Sequence, residues 1–329
     1  MLALPPLLAG WTAVCTTSFL VEFLSGGRSR PLTAMTSAPT IRPLPASAGG
    51  QTVPVDLYVS PALRAPTGLV LVHGITDRGK DDPQVQAAAM LLARTGWAVA
   101  VPTVAGLTVL RLRPDDSLAV AAATRALAEQ GYRSIAILGV SLGAAPALAA
   151  AAEPDIAPRP SAVLTLGGYA SARELLRYTL TGAYAFGDVK GRRPVDEDDI
   201  ARFAGANTEL VAGAGRALVD NREPAEIDGL IAALPESTQR LLDALSPSTS
   251  VSRSAAPLFL LHGREDRTVP FTESLRLSEA ARAAGRPVRT AIVGALSHVD
   301  PEDRATLWEL VRAGVEFYAF RVTAASSAR

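Results

Sequence analysis

Ten residues, Ala136 to Ala145 (AILGVSLGAA), constrain the fold of this chain more than any other stretch. They open as an apolar strand, pass through Gly139-Val140-Ser141-Leu142-Gly143, and continue into an alanine-rich helix. A G-x-S-x-G turn between strand and helix is tight enough to strain the serine backbone and expose its hydroxyl. Gly139 and Gly143 suit the turn, because a Cβ at either place would collide with the adjoining strand or helix. Ala144 and Ala145 let the helix lie close to the sheet. The pentapeptide alone occurs by chance in many proteins, so its weight comes from the strand and helix around it.

The rest of the chain supplies a rhythm into which this turn fits. Apolar runs without polar alternation occur at 68–73, 98–101, 134–140, 162–166 and 258–262, and 288–293 reads as the last strand. Such runs are expected of strands buried on both faces. Helical patterns lie between them, from Asp82 to Thr95, from a cap at Asp115-Asp116-Ser117 to about Gln130, and from Glu273 to Ala284. A last amphipathic helix is expected from Glu302 to about Arg321. Strands alternating with helices of this length predict an α/β fold with a doubly wound, mainly parallel sheet. Val53 to Val59 alternates and reads as a strand at the sheet edge. The rhythm stops between about 171 and 254, where helices are expected at Arg173–Leu180, Asp198–Ala212 and Ala225–Leu245. That region reads as a helical cap inserted between two strands, with a charged turn from Asp188 to Glu197.

The 329 residues suffice for one large α/β domain with an insertion, here about 53–322 with the cap. Lys+Arg and Asp+Glu number 32 each, so net charge points to no nucleic-acid partner. One cysteine, Cys15, excludes an internal disulfide framework. Three histidines (His73, His262, His298) without C-x-x-C or H-E-x-x-H spacing supply metal chemistry poorly. Residues 2–24 are largely apolar with Glu22 the only charge, and the run 7–24 is at the lower limit for spanning a bilayer. Three readings of it stay open. It is a helix docked on the domain or the product of a mis-set start codon, a membrane anchor, or a secretion signal, the last disfavoured by the lack of a basic start. As an anchor, with Arg28 and Arg30 after it, it would leave the catalytic domain cytoplasmic. Residues 25–52, rich in Gly, Ser, Pro and Thr, read as a linker or an extended arm.

Four loops fall just after predicted parallel strands, where open α/β sheets place their sites. They carry His73-Gly74-Ile75, Ser141, Gly263-Arg264-Glu265-Asp266 and Ser297-His298. A serine hydroxyl is a weak nucleophile and needs a neutral imidazole to take its proton. His298 is the candidate base. Asp266 is the candidate to hold its tautomer and stabilise the imidazolium, with Glu265 the alternative beside it. The N–H groups of Leu142 and Ile75 are the candidate oxyanion donors. His73 and His262 read as structural, His73 shaping the oxyanion loop through backbone hydrogen bonds. Lys80-Asp81-Asp82 reads either as a substrate contact or as an acidic helix start.

Leu71–Gly74 (LVHG), Gly139–Gly143, His262–Pro270 (HGREDRTVP) and Ser297-His298, in this order, resemble the α/β-hydrolase superfamily over roughly residues 53–322. Within it the chain is most similar to dienelactone-hydrolase-like and prolyl-oligopeptidase-like esterases. Dienelactone hydrolases carry a cysteine where this chain has Ser141, so lactone specificity does not carry over. Ile75 stands where the H-G-G-G lipases have glycine, which argues against bulky tertiary-alcohol esters. The resemblance implies acyl transfer to water from an ester, thioester or amide, without cofactor or metal. The expected activity is a carboxylesterase acting on a small-molecule ester with a small or medium, rather apolar acyl group. Thioesterase and peptidase activities are the alternatives, Arg192-Arg193 being the one basic pair offered to CoA phosphates. A non-catalytic binding protein on the same fold is the rival from another class.

Overall fold

The computed structural model describes residues 4–61, 67–154, 156, 159–208, 211–294, 296–298 and 306–326. The chain opens with α1 (Leu4–Leu24), α2 (Pro31–Met35), β1 (Thr40–Pro43), the short hairpin β2 (Ser47–Ala48) and β3 (Gln51–Thr52), and β4 (Val55–Val59). The core follows as β5 (Thr67–Val72), α3 (Pro83–Arg94), β6 (Ala98–Pro102), α4 (Ala105–Thr108), α5 (Ser117–Glu129), β7 (Ser134–Val140), α6 (Ala144–Ala151) and β8 (Val163–Leu166). Next comes the insertion: α7 (Ala172–Thr181), β9 (Ala183–Phe186), β10 (Val189–Arg192), α8 (Glu197–Ala206), α9 (Ala214–Asp220), α10 (Ile227–Ala232), α11 (Glu236–Ala244) and α12 (Ser248–Val251). β11 (Leu258–Gly263), α13 (Thr272–Ala283), β12 (Val288–Val293) and α14 (Leu307–Ser326) complete the chain.

Eight strands form one sheet in the order β1-β4-β6-β5-β7-β8-β11-β12. From β6 to β12 every pairing is parallel, and β4 and β1 add an antiparallel edge. The runs of β5, β6, β7, β8 and β11 are buried almost throughout because the alternate residues of each strand serve different layers, whereas β12, at the other edge of the sheet, is only partly buried. Val70, Val72, Ile135 and Ile137 pack against α5, α6 and α13. Leu69, Leu71, Ala136 and Leu138 pack towards α1, α3 and α14. The chain runs from β5 to β6 on one side and then returns to β7 on the other. The carboxyl ends of β5 and β7 therefore form the switch point where open sheets of this type bind ligands.

Several expectations are corrected. β4 is not the edge strand, because β1, from the supposed linker, pairs outside it with Thr40 opposite Val59. Alternation told correctly that β4 is less buried than its neighbours, but an edge formed by a polar strand carries no apolar signal. In the insertion, the expected Ala225–Leu245 helix is broken into α10 and α11 at Pro235, whose ring disfavours a helical residue before it. The supposed turn after Asp188 is instead the hairpin β9–β10, with Val189 opposite Phe186. Residues 209–210, within the expected Asp198–Ala212 helix, and 302–305, at the start of the expected last helix, lie outside the described residues.

The apolar N-terminal run forms α1, which packs against α2, α3 and α14. Cys15 and Phe19 are buried in the same cluster as Trp97 and Phe320, and the Phe19 ring stacks on Phe317 at 4.8 Å. Glu22 is buried too, its carboxylate accepting from the Thr33 N–H at 2.9 Å and from the Thr33 hydroxyl. No helix of the described residues is long and apolar enough to cross a membrane.

Candidate active site

β7 ends directly in a 3-10 turn, Ser141–Gly143, and then α6. Ser141 has φ +53°, one of two non-glycine residues in the left-handed region among those described. That conformation costs roughly 1–2 kcal/mol for an L-residue. The surroundings enforce it. A Cβ on Gly143 would stand 2.3 Å from the His73 carbonyl oxygen, and one on Gly139 would stand 2.8 Å from the Ala144 Cα. Helix, strand and the loop after β5 meet backbone to backbone here, so the chain has no slack with which to relax the serine.

Sheet register brings the other loops to Ser141. Val72 lies opposite Gly139, Val140 opposite Leu166, and Leu166 opposite Leu261. The loops after β5, β7, β8 and β11 therefore open side by side. His298 Nε2 lies 2.8 Å from Ser141 Oγ, and His298 Nδ1 lies 2.6 Å from Asp266 Oδ2. Asp266 is fully buried. Its Oδ1 accepts from the N–H groups of Thr268 and Val269, both at 2.8 Å. Its Oδ2 also lies 3.2 Å from His262 Nε2. Burial disfavours the carboxylate, yet the hydrogen bonds from His262 and His298 outweigh it and hold the carboxyl below its ordinary value. Glu265, the alternative acid, is exposed and pairs instead with Arg193 at 3.3 Å.

The expected triad residues thus converge, and the structure adds supports that sequence reasoning missed. His262 does end a buried strand, with Nδ1 2.7 Å from Ser274 Oγ and Nε2 3.0 Å from the Val269 carbonyl oxygen. It is also an auxiliary partner of Asp266, a role for which the spacing of four residues in HGRED was the available signal. Gly167 has φ +63°, and a Cβ there would come within 3.3 Å of Asp266 Oδ2 and His298 Nδ1. Only a glycine leaves room for the imidazole–carboxylate pair at that turn.

The loop after β5 is braced from both sides. The Val104 N–H donates to His73 Nε2 at 3.0 Å, so His73 Nδ1 carries the proton it gives to the Gly74 carbonyl at 2.7 Å. Burial pushes the His73 pKa down, which keeps that imidazole neutral. Asp82 caps α3 by accepting from Gln84 and Val85, and its other oxygen accepts from the Thr76 hydroxyl at 2.7 Å. Lys80 pairs with Asp56 at 3.0 Å and Asp81 at 2.8 Å. The Lys80-Asp81-Asp82 run therefore holds structure beside Ile75. A Cβ on Gly74 would lie 3.1 Å from the Ser141 Cβ, which places the Ile75 backbone immediately beyond the serine. Leu142 is the second residue of the turn that starts at Ser141.

Arg192 and Arg193 offer no free cationic patch. Arg192 donates to the carbonyls of Thr181 and Arg222, and Arg193 donates to those of Glu265 and Arg264 at 2.7 and 3.0 Å. Arg193 thereby ties the insertion to the loop that carries Asp266, as does the Tyr178 hydroxyl, which donates to the Arg267 carbonyl at 2.8 Å. Cys15 is buried in the core on α1. Among the described residues no group of three or more His, Cys, Asp or Glu side chains is arranged to hold a metal ion.

Switch point, strained serine turn and strand order together decide the architecture. The chain has the α/β-hydrolase fold. The family described as BD-FAE matches residues 181–281, less than half of the chain. Among solved structures with this fold, an acylaminoacyl peptidase of Pyrococcus horikoshii is 17% identical with a TM-score of 0.57, over 87% of this chain and 42% of that one. A puromycin-hydrolyzing peptidase of Mycobacterium tuberculosis is 19% identical with a TM-score of 0.54, over 86% of this chain and 38% of that one. A protein of Klebsiella pneumoniae named as a dienelactone hydrolase is 12% identical with a TM-score of 0.50, over 87% of this chain and 99% of that one. The chain thus spans about two fifths of the length of these peptidases. No curated protein matches it by sequence.

Proposed function

We propose that the protein is a serine hydrolase that cleaves an apolar carboxylic ester through an acyl-enzyme on Ser141. The single observation that carries this reading is the unbroken chain Ser141 Oγ, His298, Asp266, with contacts of 2.8 and 2.6 Å at a left-handed serine. With Asp266 ionised, His298 Nδ1–H donates to it and Nε2 is left to accept the serine proton. Ser141 Oγ attacks the ester carbon, its proton passes to Nε2, and the carbonyl oxygen takes up the negative charge. The N–H groups of Leu142 and Ile75 are the donors assigned to that oxygen. Collapse of the intermediate expels the alcohol with the proton from Nε2. Water then repeats the sequence on the acyl-enzyme, releasing the acid and restoring the serine.

The peptidase likeness favours amide cleavage as a second reading. An ester is preferred because the walls facing Ser141 are chiefly apolar, with Leu142 on the serine turn and Leu175, Leu176 and Leu242 on the cap. The test is labelling with a fluorophosphonate probe and hydrolysis of p-nitrophenyl esters against matched anilides, with Ser141→Ala as control. Wild type should label and turn over esters, and the variant should do neither. A wild type as inert as Ser141→Ala overturns the hydrolase reading, and faster cleavage of anilides overturns the ester assignment.

A further inference from the structure

The cavity in front of Ser141, which is partly open to solvent, has a volume of about 1610 Å³, whereas small-molecule sites run to roughly 300–1,000 Å³. Its wall has two parts. One is the cap. The other runs down the sheet between Leu71, Leu138 and Leu164 on one side and Leu20, Phe23 and Leu91 on the other. Leu138 stands three residues before Ser141, so at ~3.3 Å per residue this lobe reaches about 10 Å below the serine. Val140 and Leu138 share a sheet face, which makes the apolar wall continuous from the reaction centre downward.

The charged groups named on this wall are turned to protein partners. Glu22 is held by Thr33, Arg94 donates to the Thr36 carbonyl at 2.6 Å, Arg30 donates to the Gly27 carbonyl at 3.0 Å, and Asp82 accepts from the Thr76 hydroxyl at 2.7 Å. What the lobe offers a ligand is therefore aliphatic and aromatic surface. It is built jointly by α1, α3 and the sheet, so the N-terminal helix supplies one side of the site in addition to covering the core.

From this we propose that the lobe holds the acyl chain of a long-chain ester, making fatty acyl esters the substrate class in place of small acyl groups. The proposal rests on the serine-hydrolase reading and adds the chain-length selectivity. Each methylene moved from water to such a wall favours binding about fourfold, so selectivity should climb with chain length until the lobe is full.

The test is a p-nitrophenyl ester series from acetate to decanoate, run on wild type, Ala88→Trp, Leu20→Trp and Val322→Trp. Ala88 and Leu20 line the lobe, whereas Val322 is exposed on the outer side of α14. Wild-type kcat/KM should rise at least tenfold from acetate to decanoate. Both lobe substitutions should reduce the decanoate-to-acetate ratio at least tenfold, and Val322→Trp should leave it unchanged. Free decanoate should also inhibit wild-type acetate hydrolysis at least tenfold more tightly than butyrate does. A wild type that prefers acetate, inhibition indifferent to chain length, or lobe variants that label normally and keep the ratio would each overturn the acyl-lobe proposal. Absence of both labelling and ester hydrolysis in wild type would instead overturn the underlying hydrolase reading.

Discussion

Replacing Asp266 by asparagine probes the proposed mechanism most directly, because the structure dictates how the new amide must sit. Two backbone donors, Thr268 N–H and Val269 N–H, aim at Oδ1 from 2.8 Å. The amide oxygen has to take that position, since an NH₂ there would face two N–H groups at once. The NH₂ is then left at the Oδ2 position, 2.6 Å from His298 Nδ1. It can only donate, so His298 must present an unprotonated Nδ1 and move its proton to Nε2, 2.8 Å from Ser141 Oγ. A protonated Nε2 cannot accept the serine proton, and the imidazolium also loses its counter-charge. The same change in another Ser-His-Asp enzyme lowers kcat roughly 10⁴-fold, about 5.4 kcal/mol at 1.36 kcal/mol per factor of ten. A loss of that order is expected in kcat for a short p-nitrophenyl ester, while circular dichroism shows the fold retained. Glu265→Gln, on the exposed neighbour, should stay within about twofold on the scale usual for surface changes. An Asp266→Asn enzyme within tenfold of wild type would refute the tautomer argument.

Three further outcomes follow from the geometry. Ser141→Gly and Ser141→Ala should both abolish ester turnover, but the glycine variant should be about 1 kcal/mol more stable in urea unfolding, because φ +53° strains only the alanine; equal stabilities would contradict a strained turn. Gly143→Ala forces a Cβ to within 2.3 Å of the His73 carbonyl oxygen, and a cost of about 3 kcal/mol or more is expected at the upper end of overpacking, read as a lowered Tm with fluorophosphonate labelling lost. Glu273 is almost fully buried, and burial raises its pKa despite hydrogen bonds from the Ala170 and Ser171 N–H groups and from Arg276. Its contribution to stability is therefore complete below the unfolded value of about 4.3 and declines as pH rises through the higher folded value. Stability of Glu273→Gln relative to wild type should accordingly improve from pH 4 to pH 8, and a difference flat with pH would exclude the shift.

The candidate triad was legible because each member follows a strand-like run whose meaning is local. Ser141 announces itself through glycines at 139 and 143, and Asp266 through a turn after a buried strand. His298 was found by chain order. The supports around them were less visible, since they depend on which loops become neighbours. The four-residue spacing of His262 and Asp266 permits a contact, but only the folded loop shows that the ring reaches the carboxylate. Gly167 follows a strand without any motif of its own, and only with the imidazole in place does its missing side chain acquire a reason. The edge strand β1 was hidden for a different cause, as Thr40, Ile41, Arg42 and Pro43 are all exposed and carry no burial pattern to detect.

Periodicity and turn chemistry, which involve residues a few positions apart, were enough to determine a parallel α/β sheet, its insertion and the strained serine turn. Decisions that depend on contact between distant segments waited for the tertiary structure. Packing Phe19 against Phe317 settles α1 on the domain, and the register of β5, β7, β8 and β11 sets the distances within the triad. Above all, the cavity is bounded by α1, α3, the sheet and the cap together. An empty volume belongs to no segment of the chain, so its size and lining could be read only after those segments had met. The sequence placed a candidate nucleophile at Ser141, and the tertiary structure decided how much room lies in front of it.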